Sequence, residues 1–449
     1  MLTIKILTVY KTVRTISCIM LYSLLFAVFS GGIIFAQKPE TGKEEDIAGY
    51  LPTLTVDQAI NEALRNNLGL QAEQMNIQIA DSSVTTARLR PNPTLSLGDS
   101  YLAYFGGYSL DRGANPSEVA ARIDVPVERG GKRKLRIETA EYNKKIVNAQ
   151  LLDSIRRLKL EVATSCIDVL RARSNLALAL DNLRTFEELV RINDARVKAG
   201  AINPQDLTRS QVAMHQFQSN VKRAELDLSN AKIKLQSLLG RKKISDVFDI
   251  QGELKVAVKN PNLEFTSLQE TAFSSRPDLN ALELTEEQSQ SALKLQQANA
   301  KVDYSVGVQY QRTFATDDFN SMGLSLSVPL PVFSRNQGEI ARVHAERERL
   351  LRQKEAVKAQ VLNEVKTAYN EFSTGLELVS SIERNLLKPA EQARDTAAYI
   401  YRTGASSLIE FLDAQRAFNE TMQSYYEALA TYQNAINNLN ASVGKEVIK

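Results

Sequence analysis

Cysteine is nearly absent from this 449-residue chain: Cys18 and Cys166 are the two, and Cys18 falls at the start of an N-terminal apolar run. With one thiol in its body, the chain makes no intramolecular disulfide. Histidine is as scarce. His215 and His344 stand alone, outside any His-x-x-x-His or Cys-x-x-Cys spacing that would supply several metal ligands at once. Each is expected on a helix surface, and neither a metal site nor a cofactor is expected. Proline and glycine number 12 and 20 and cluster at a handful of places, which implies long uninterrupted elements. No Ser/His/Asp or Cys/His set stands out, and Gly130-Gly131-Lys132-Arg133 lacks the flanking spacing of a phosphate-binding loop. An enzyme is the least supported class.

Residues 1–36 carry Lys5, Lys11 and Arg14, then an apolar run from Ile16 to Ala36, and no acidic residue. This is the layout of a secretory leader cleaved near Ala36. A retained anchor is the alternative, because about 21 apolar residues can span a bilayer. Cleavage removes three positive charges and leaves 52 basic residues (55 − 3) against 52 acidic ones, a balance that argues against nucleic acid as a partner. Cys18 comes too early to carry a lipid on the mature N-terminus, so no lipid tether is expected. The export route sets the compartment.

What is present is a duplication. The stretch 196–207 returns at 401–412, and within it Gly200 is answered by Gly404, 204 residues on (404 − 200). Upstream, Val125-Pro126 is answered by Leu330-Pro331 and Ala140-Glu141 by Ala345-Glu346, each 205 apart (330 − 125, 345 − 140). So constant a spacing means one large unit, repeated.

Between the glycines an apolar residue recurs every seven. Ile155, Val162, Val169, Leu176, Leu183, Val190 and Val197 form one line, and Leu207, Met214, Val221, Leu228 and Leu235 a second. The other copy has Val365, Phe372, Val379, Leu386, Ala393 and Ile400, then Phe411, Phe418, Tyr425, Tyr432 and Leu439. Such lines predict long helices that supercoil against neighbours. Ahead of each long helix the period changes to two: Tyr304, Val306, Val308 and Tyr310 alternate with polar residues, as do Met322, Leu324, Leu326 and Val328. Thr94–Leu102 and Glu118–Val125, joined through the Tyr104–Tyr108 stretch, are the weaker counterpart. These are strands with one apolar and one polar face, long enough for an outer-membrane barrel; a surface hairpin is the alternative. Four strands cannot close the smallest membrane barrel of about eight, so a membrane reading demands that several chains share one.

The chain thus divides into a leader at 1–36, a first repeat at 37–240, a linker at 241–264 and a second repeat at 265–449. The first repeat has helices near 55–90, 132–198 and 204–239 and strands near 93–103 and 117–127. The second has helices near 266–300, 337–402 and 406–442 and strands near 303–313 and 320–330. The stretch Gly240–Phe265, which contains Pro261, is expected to form a small α/β belt with the segment before Leu54 and the C-terminal tail.

This pattern resembles the TolC-like outer-membrane efflux family over nearly the whole mature chain. Two motifs narrow it: Glu128-Arg-Gly-Gly-Lys-Arg133 and Leu330-Pro-Val-Phe-Ser-Arg-Asn-Gln-Gly338 are similar to segments of the CzcC/CusC-like, heavy-metal RND branch. The resemblance implies a mostly α fold with a membrane β-barrel portion, a homotrimer whose twelve-stranded barrel continues into a twelve-helix α-barrel across the periplasm. It implies a passive duct of a tripartite efflux system, exporting heavy-metal cations, with outer-membrane lipid, a periplasmic adaptor and an inner-membrane RND-type pump as partners. It also assigns roles. Glu410 and Asp413 match two acids that ring the periplasmic entrance, and Asp206 with Tyr401 match an acid and a tyrosine that link neighbouring helices when closed. Ser406 stands where some relatives carry an arginine in that latch, so a weaker closed state is expected. The tips Gly200, Ala201, Ile202, Gly404, Ala405 and Ser406 are expected to meet the adaptor. Residue by residue, Glu410 and Asp413 also read as solvated acids at a helix start, where the dipole favours them. A multidrug duct, a type I secretion duct and, from another class, a periplasmic coiled-coil scaffold remain as rival functions.

Overall fold

The computed structural model describes residues 53–100, 117–245, 247–255, 263–314 and 319–448. The leader at 1–36, the Tyr104–Tyr108 stretch and Pro261 lie outside them. The first copy runs β1 (Thr53–Leu54), α1 (Val56–Asn66), α2 (Leu68–Arg88), β2 (Thr94–Ser100), β3 (Ser117–Val127), α3 (Lys132–Lys198), α4 (Pro204–Leu238) and β4 (Asp249–Ile250). The second runs α5 (Phe265–Ser275), α6 (Pro277–Asn299), β5 (Tyr304–Phe314), β6 (Phe319–Ser327), α7 (Gln337–Asn385), α8 (Leu387–Thr403) and α9 (Leu408–Val443).

No proline interrupts α3, whose 67 residues rise about 100 Å. It packs along α4, α6, α2 and α9, while α7 lies on α9 and α6. Val162 and Val169 are buried as the seven-residue line requires, but Leu176, Leu183 and Val190 are only half-buried. Asn182, Phe186, Leu189 and Asn193 take the inside instead. A helix of 3.6 residues per turn drifts against a period of seven, and here the line moves back by one residue. In α7 the line Val365, Phe372, Val379 is buried, as is Phe411, Phe418, Tyr432, Leu439 in α9. The two helices touch: a Cβ on Gly375 would lie 3.3 Å from the Tyr432 Cα.

Three helices expected to be continuous are broken, each for a local reason. The helix near 55–90 turns at Asn67 (φ −63°, ψ 118°), whose side chain accepts from the Leu70 N–H at 2.9 Å and starts α2. The helix near 266–300 turns at Arg276 (φ −74°, ψ 124°), because a residue before proline is driven out of the helical region. The helix near 337–402 breaks at Leu386 (φ −118°), since the ring of Pro389 crowds the carbonyl four residues earlier. There the apolar line fails too: Leu386 and Ala393 are exposed and Tyr401 is buried in place of Ile400. The belt is slight among the described residues, a parallel pair of two-residue strands, β1 and β4, with no helix in 241–255.

The second sheet is antiparallel in the order β2-β3-β5-β6. One row across it is Leu95, Ile123, Val308 and Leu324, and another on the same face is Leu97, Ala121, Tyr310 and Met322. The opposite face carries Ser96, Arg122, Gln309 and Gly323. The apolar face is bare, Leu324 being 86% exposed. β6 stops at Ser327, short of the expected 330, where its ladder on β5 ends at the pair Ser305–Ser327, one residue from the start of β5.

The duplication also builds two matching corners. In the first copy α4 ends at Gly240 (φ +73°) against the α1–α2 corner, where Asn67 Nδ2 donates to the Leu238 carbonyl at 2.9 Å. In the second, α9 ends at Gly444 (φ +78°) against the α5–α6 corner, where buried Arg276 donates to the Ser442 carbonyl at 3.0 Å and pairs with Asp278 and Glu364, each at 2.7 Å. A Cβ on Gly240 would meet the Asn66 carbonyl oxygen at 2.1 Å, whereas Gly200, at the same φ of +73°, has nothing within 4 Å. Gly200→Ala therefore costs only the left-handed backbone penalty, about 1–2 kcal/mol, and Gly240→Ala costs clearly more. Denaturant midpoints of the two variants check this, and equal losses would mean the corner is not closely packed.

Candidate functional site: the helical tips and entrance

Both hairpins end alike. After α3, Gly200 takes φ +73°, its N–H donates to the Val197 carbonyl at 3.0 Å and the Ala201 N–H to the Arg196 carbonyl at 2.8 Å. After α8, Gly404 takes φ +84°, its N–H donates to Tyr401 at 3.1 Å and the Ala405 N–H to Ile400 at 3.1 Å. These paired bonds are the Schellman ending, which a β-carbon would strain. The chain restarts at Asn203, whose side chain accepts from the Gln205 N–H at 2.9 Å ahead of Pro204, and at Ser407, whose Oγ accepts from the Glu410 N–H at 3.3 Å. Ala201 and Ala405 are exposed and Ile202 and Ser406 half-buried, so small residues form both ends.

Behind the tips one apolar cluster joins four helices: Phe186 and Leu189 of α3, Tyr401 of α8, and Leu408 and Phe411 of α9, with Met214 and Phe217 of α4 against them. Phe186 stacks on Phe217 at 4.3 Å and meets Phe411 at 5.8 Å. Polar bonds thread it. The Tyr401 hydroxyl, 5% exposed as a residue, donates to Asn193 Oδ1 at 2.9 Å, and Arg196 donates to the Tyr401 carbonyl at 3.2 Å and to the Arg402 carbonyl. Deeper, buried Gln415 donates to Asn182 Oδ1 at 2.8 Å. Burial pushes the Tyr401 hydroxyl above its ordinary value, and the negative charge of Asp206 adds to this.

Asp206 is not bonded to Tyr401 within one chain: its carboxylate lies 3.8 Å from Arg209, one turn on, and the tyrosine is taken by Asn193. Glu410 and Asp413 face solvent on the first turns of α9, Asp413 lying 3.5 Å from exposed Arg416. Glu410 borders a groove of about 520 Å³ shared with Ile400, Ala405 and Ser406. The Ser406 hydroxyl donates only locally, to the Ser407 carbonyl at 3.2 Å. Sequence reasoning missed Asn193, Arg196, Asn182 and Gln415. Their signal is a polar residue on an otherwise apolar inner line, visible only once the line's one-residue shift is known.

Among the described residues no helix is long and apolar enough to cross a membrane, while one face of the four-stranded sheet is apolar and bare. The fold thus sets a short four-stranded sheet with one apolar face beside helices of up to 67 residues. The chain belongs to the outer membrane efflux protein family, whose model matches residues 59–241 and 268–445. It is thus an outer-membrane efflux duct. Among curated relatives, the cobalt-zinc-cadmium resistance protein CzcC of Cupriavidus metallidurans is 24% identical over 85% of this chain and 88% of its own length. The cation efflux system protein CusC of Escherichia coli O157:H7 is 21% identical over 85% and 83%. Among solved structures, CusC superposes with a TM-score of 0.71 at 18% identity, covering 87% of this chain and 92% of that one. A membrane protein from Pseudomonas aeruginosa superposes at 0.72 with the same identity and coverage. Identities this low speak for the fold.

Tyr401→Phe keeps the ring but strands the buried Asn193 amide, a loss of about 1–3 kcal/mol. Because the folded-state pKa of this hydroxyl is raised, its contribution is complete below the ordinary tyrosine range and disappears as pH rises through the raised value. Thermal unfolding should therefore separate the two proteins at neutral pH and bring them together at strongly alkaline pH. A constant gap would mean the bond is not the cause.

Proposed function

We propose that three copies of this chain assemble as the duct of a tripartite pump and carry heavy-metal cations outward. The observation that supports assembly is the sheet, with a bare apolar face and unpaired outer edges on β2 and β6. A lipid environment tolerates neither open edges nor a barrel of four strands, whereas three copies supply twelve. The tips Gly200–Ile202 and Gly404–Ser406 dock a periplasmic adaptor, and an inner-membrane RND-type pump supplies the driving force. Sequence similarity to CzcC and CusC supports metal cations as cargo. The chain needs no tight metal site for this, and the described residues hold no group of three or more His, Cys, Asp or Glu able to bind an ion.

In a trimer, Glu410 and Asp413 place six carboxylates round the entrance, and so high a density of one sign concentrates divalent cations there. Deleting the gene should sensitise its host to cobalt, zinc or cadmium salts, and the wild-type gene should restore growth. Restoration by Glu410→Gln with Asp413→Asn should be partial, at equal protein in the outer membrane. Unchanged metal tolerance on deletion would overturn the metal cargo, and full restoration by the double variant would release these acids from the entrance.

A further inference from the structure

Resting on the reading that copies share one barrel, the duplication fixes how they join. Inside one chain β3 of the first copy pairs with β5 of the second, with Val125 opposite Val306 and Val127 opposite Tyr304. The same contact between chains is β6 of one copy against β2 of the next. The positions correspond through the caps. Gly131 starts α3 and Asn336 starts α7, both left-handed and 205 apart (336 − 131). Leu89 ends α2 and Ala300 ends α6, 211 apart (300 − 89), an offset that also matches outward Leu95 and Leu97 to outward Val306 and Val308.

We propose that Val328–Val332 continues β6 as a ladder on Pro93–Leu97 of a second copy, with Leu330 opposite its Leu95 and Val328 opposite its Leu97. Three observations carry this. First, β3 runs through Pro126 to Val127 where β5 pairs with it, whereas the equivalent Pro331–Val332 is coil, as is the stretch from Val328 that leads to it. Second, that coil is apolar and exposed, Leu330 at 80% and Val332 at 65%, and it continues the open edge of β6. Third, the polar partners change together. In the inner contact Asp303 binds Lys132 Nζ at 2.7 Å and the Arg129 N–H at 2.8 Å. In the outer one the corresponding residues are Asn92 and Gln337, two amides able to bond as the ion pair does.

The geometry closes as well. Within one copy Ser325 is level with Thr94, whereas the proposed ladder sets it level with Ser100 of the next, a step of six residues (100 − 94). Three such steps round twelve strands, at roughly 3.3 Å per residue and 4.8 Å per strand, tilt the strands about 45°, at the upper end of the range for membrane barrels.

Directly opposed cysteines lie within disulfide reach. Cys166 is silent in such an experiment, being buried with its thiol pushed up to about 12. In a Cys18→Ser background, oxidation of Leu330→Cys with Leu95→Cys should turn the monomer band on a denaturing gel into covalent dimer and trimer. Leu324→Cys with Leu95→Cys, the pair for an unstaggered closure, should stay monomeric. If the first pair fails to assemble, Val328→Cys with Leu97→Cys reads the same register. Native mass spectrometry of the wild type separates the claims. A trimer with only the unstaggered pair linked, or with none linked, overturns the register alone, and a monomer overturns shared closure with it.

Discussion

Every backbone N–H and C=O at membrane depth must be paired, and a single copy of this chain cannot meet that demand. Among the described residues the four-stranded sheet leaves β2 and β6 at its edges, and its outward residues, Leu95, Ile123, Val308 and Leu324 among them, are exposed. The rest of the molecule follows from satisfying this constraint by sharing. Two strand pairs per chain suffice only if each chain is a repeating sector of a ring, and duplication makes the contact inside a chain a template for the contact between chains.

The helices are held by different interactions at their two ends. Near the sheet and belt, the corner glycines Gly240 and Gly444, the buried ion pairs of Arg276 and the tie from Arg156 to the Ala441 carbonyl at 2.7 Å lock the ends of α4 and α9. Towards the tips the aliphatic stripe gives way to aromatics laced with amides, Asn182 with Gln415 and Asn193 with Tyr401. Such bonds stabilise by about 1 kcal/mol each, and a buried partner left without one costs more. The break at Leu386 falls where the stripe changes character.

Much of this was legible in the sequence because it rests on period. Seven-residue lines gave α3, α4 and α9 their extent, and the alternation in 304–310 and 322–328 set the faces of β5 and β6. What was not legible depends on single residues in context. Asn67, Arg276 and Leu386 break helices whose apolar pattern runs on, through a capping amide or a proline one or three positions later. Within one chain the Tyr401 hydroxyl finds Asn193, which the one-residue shift of the inner line along α3 turns towards it. The end of β6 differs from expectation for another reason, since the alternation runs on past Ser327 while the β5 strand it pairs with begins at Tyr304.

The most direct test of the central claim is which face of the sheet meets lipid. The chain contains no tryptophan, so one introduced indole reports without background. In full-length protein reconstituted in bilayers, fluorescence of Leu324→Trp should be quenched by brominated acyl chains and shielded from aqueous iodide, and Ser321→Trp should show the reverse. Iodide quenching of both, with neither sensing brominated lipid, would contradict a sheet that stands in the membrane with Leu324 outward.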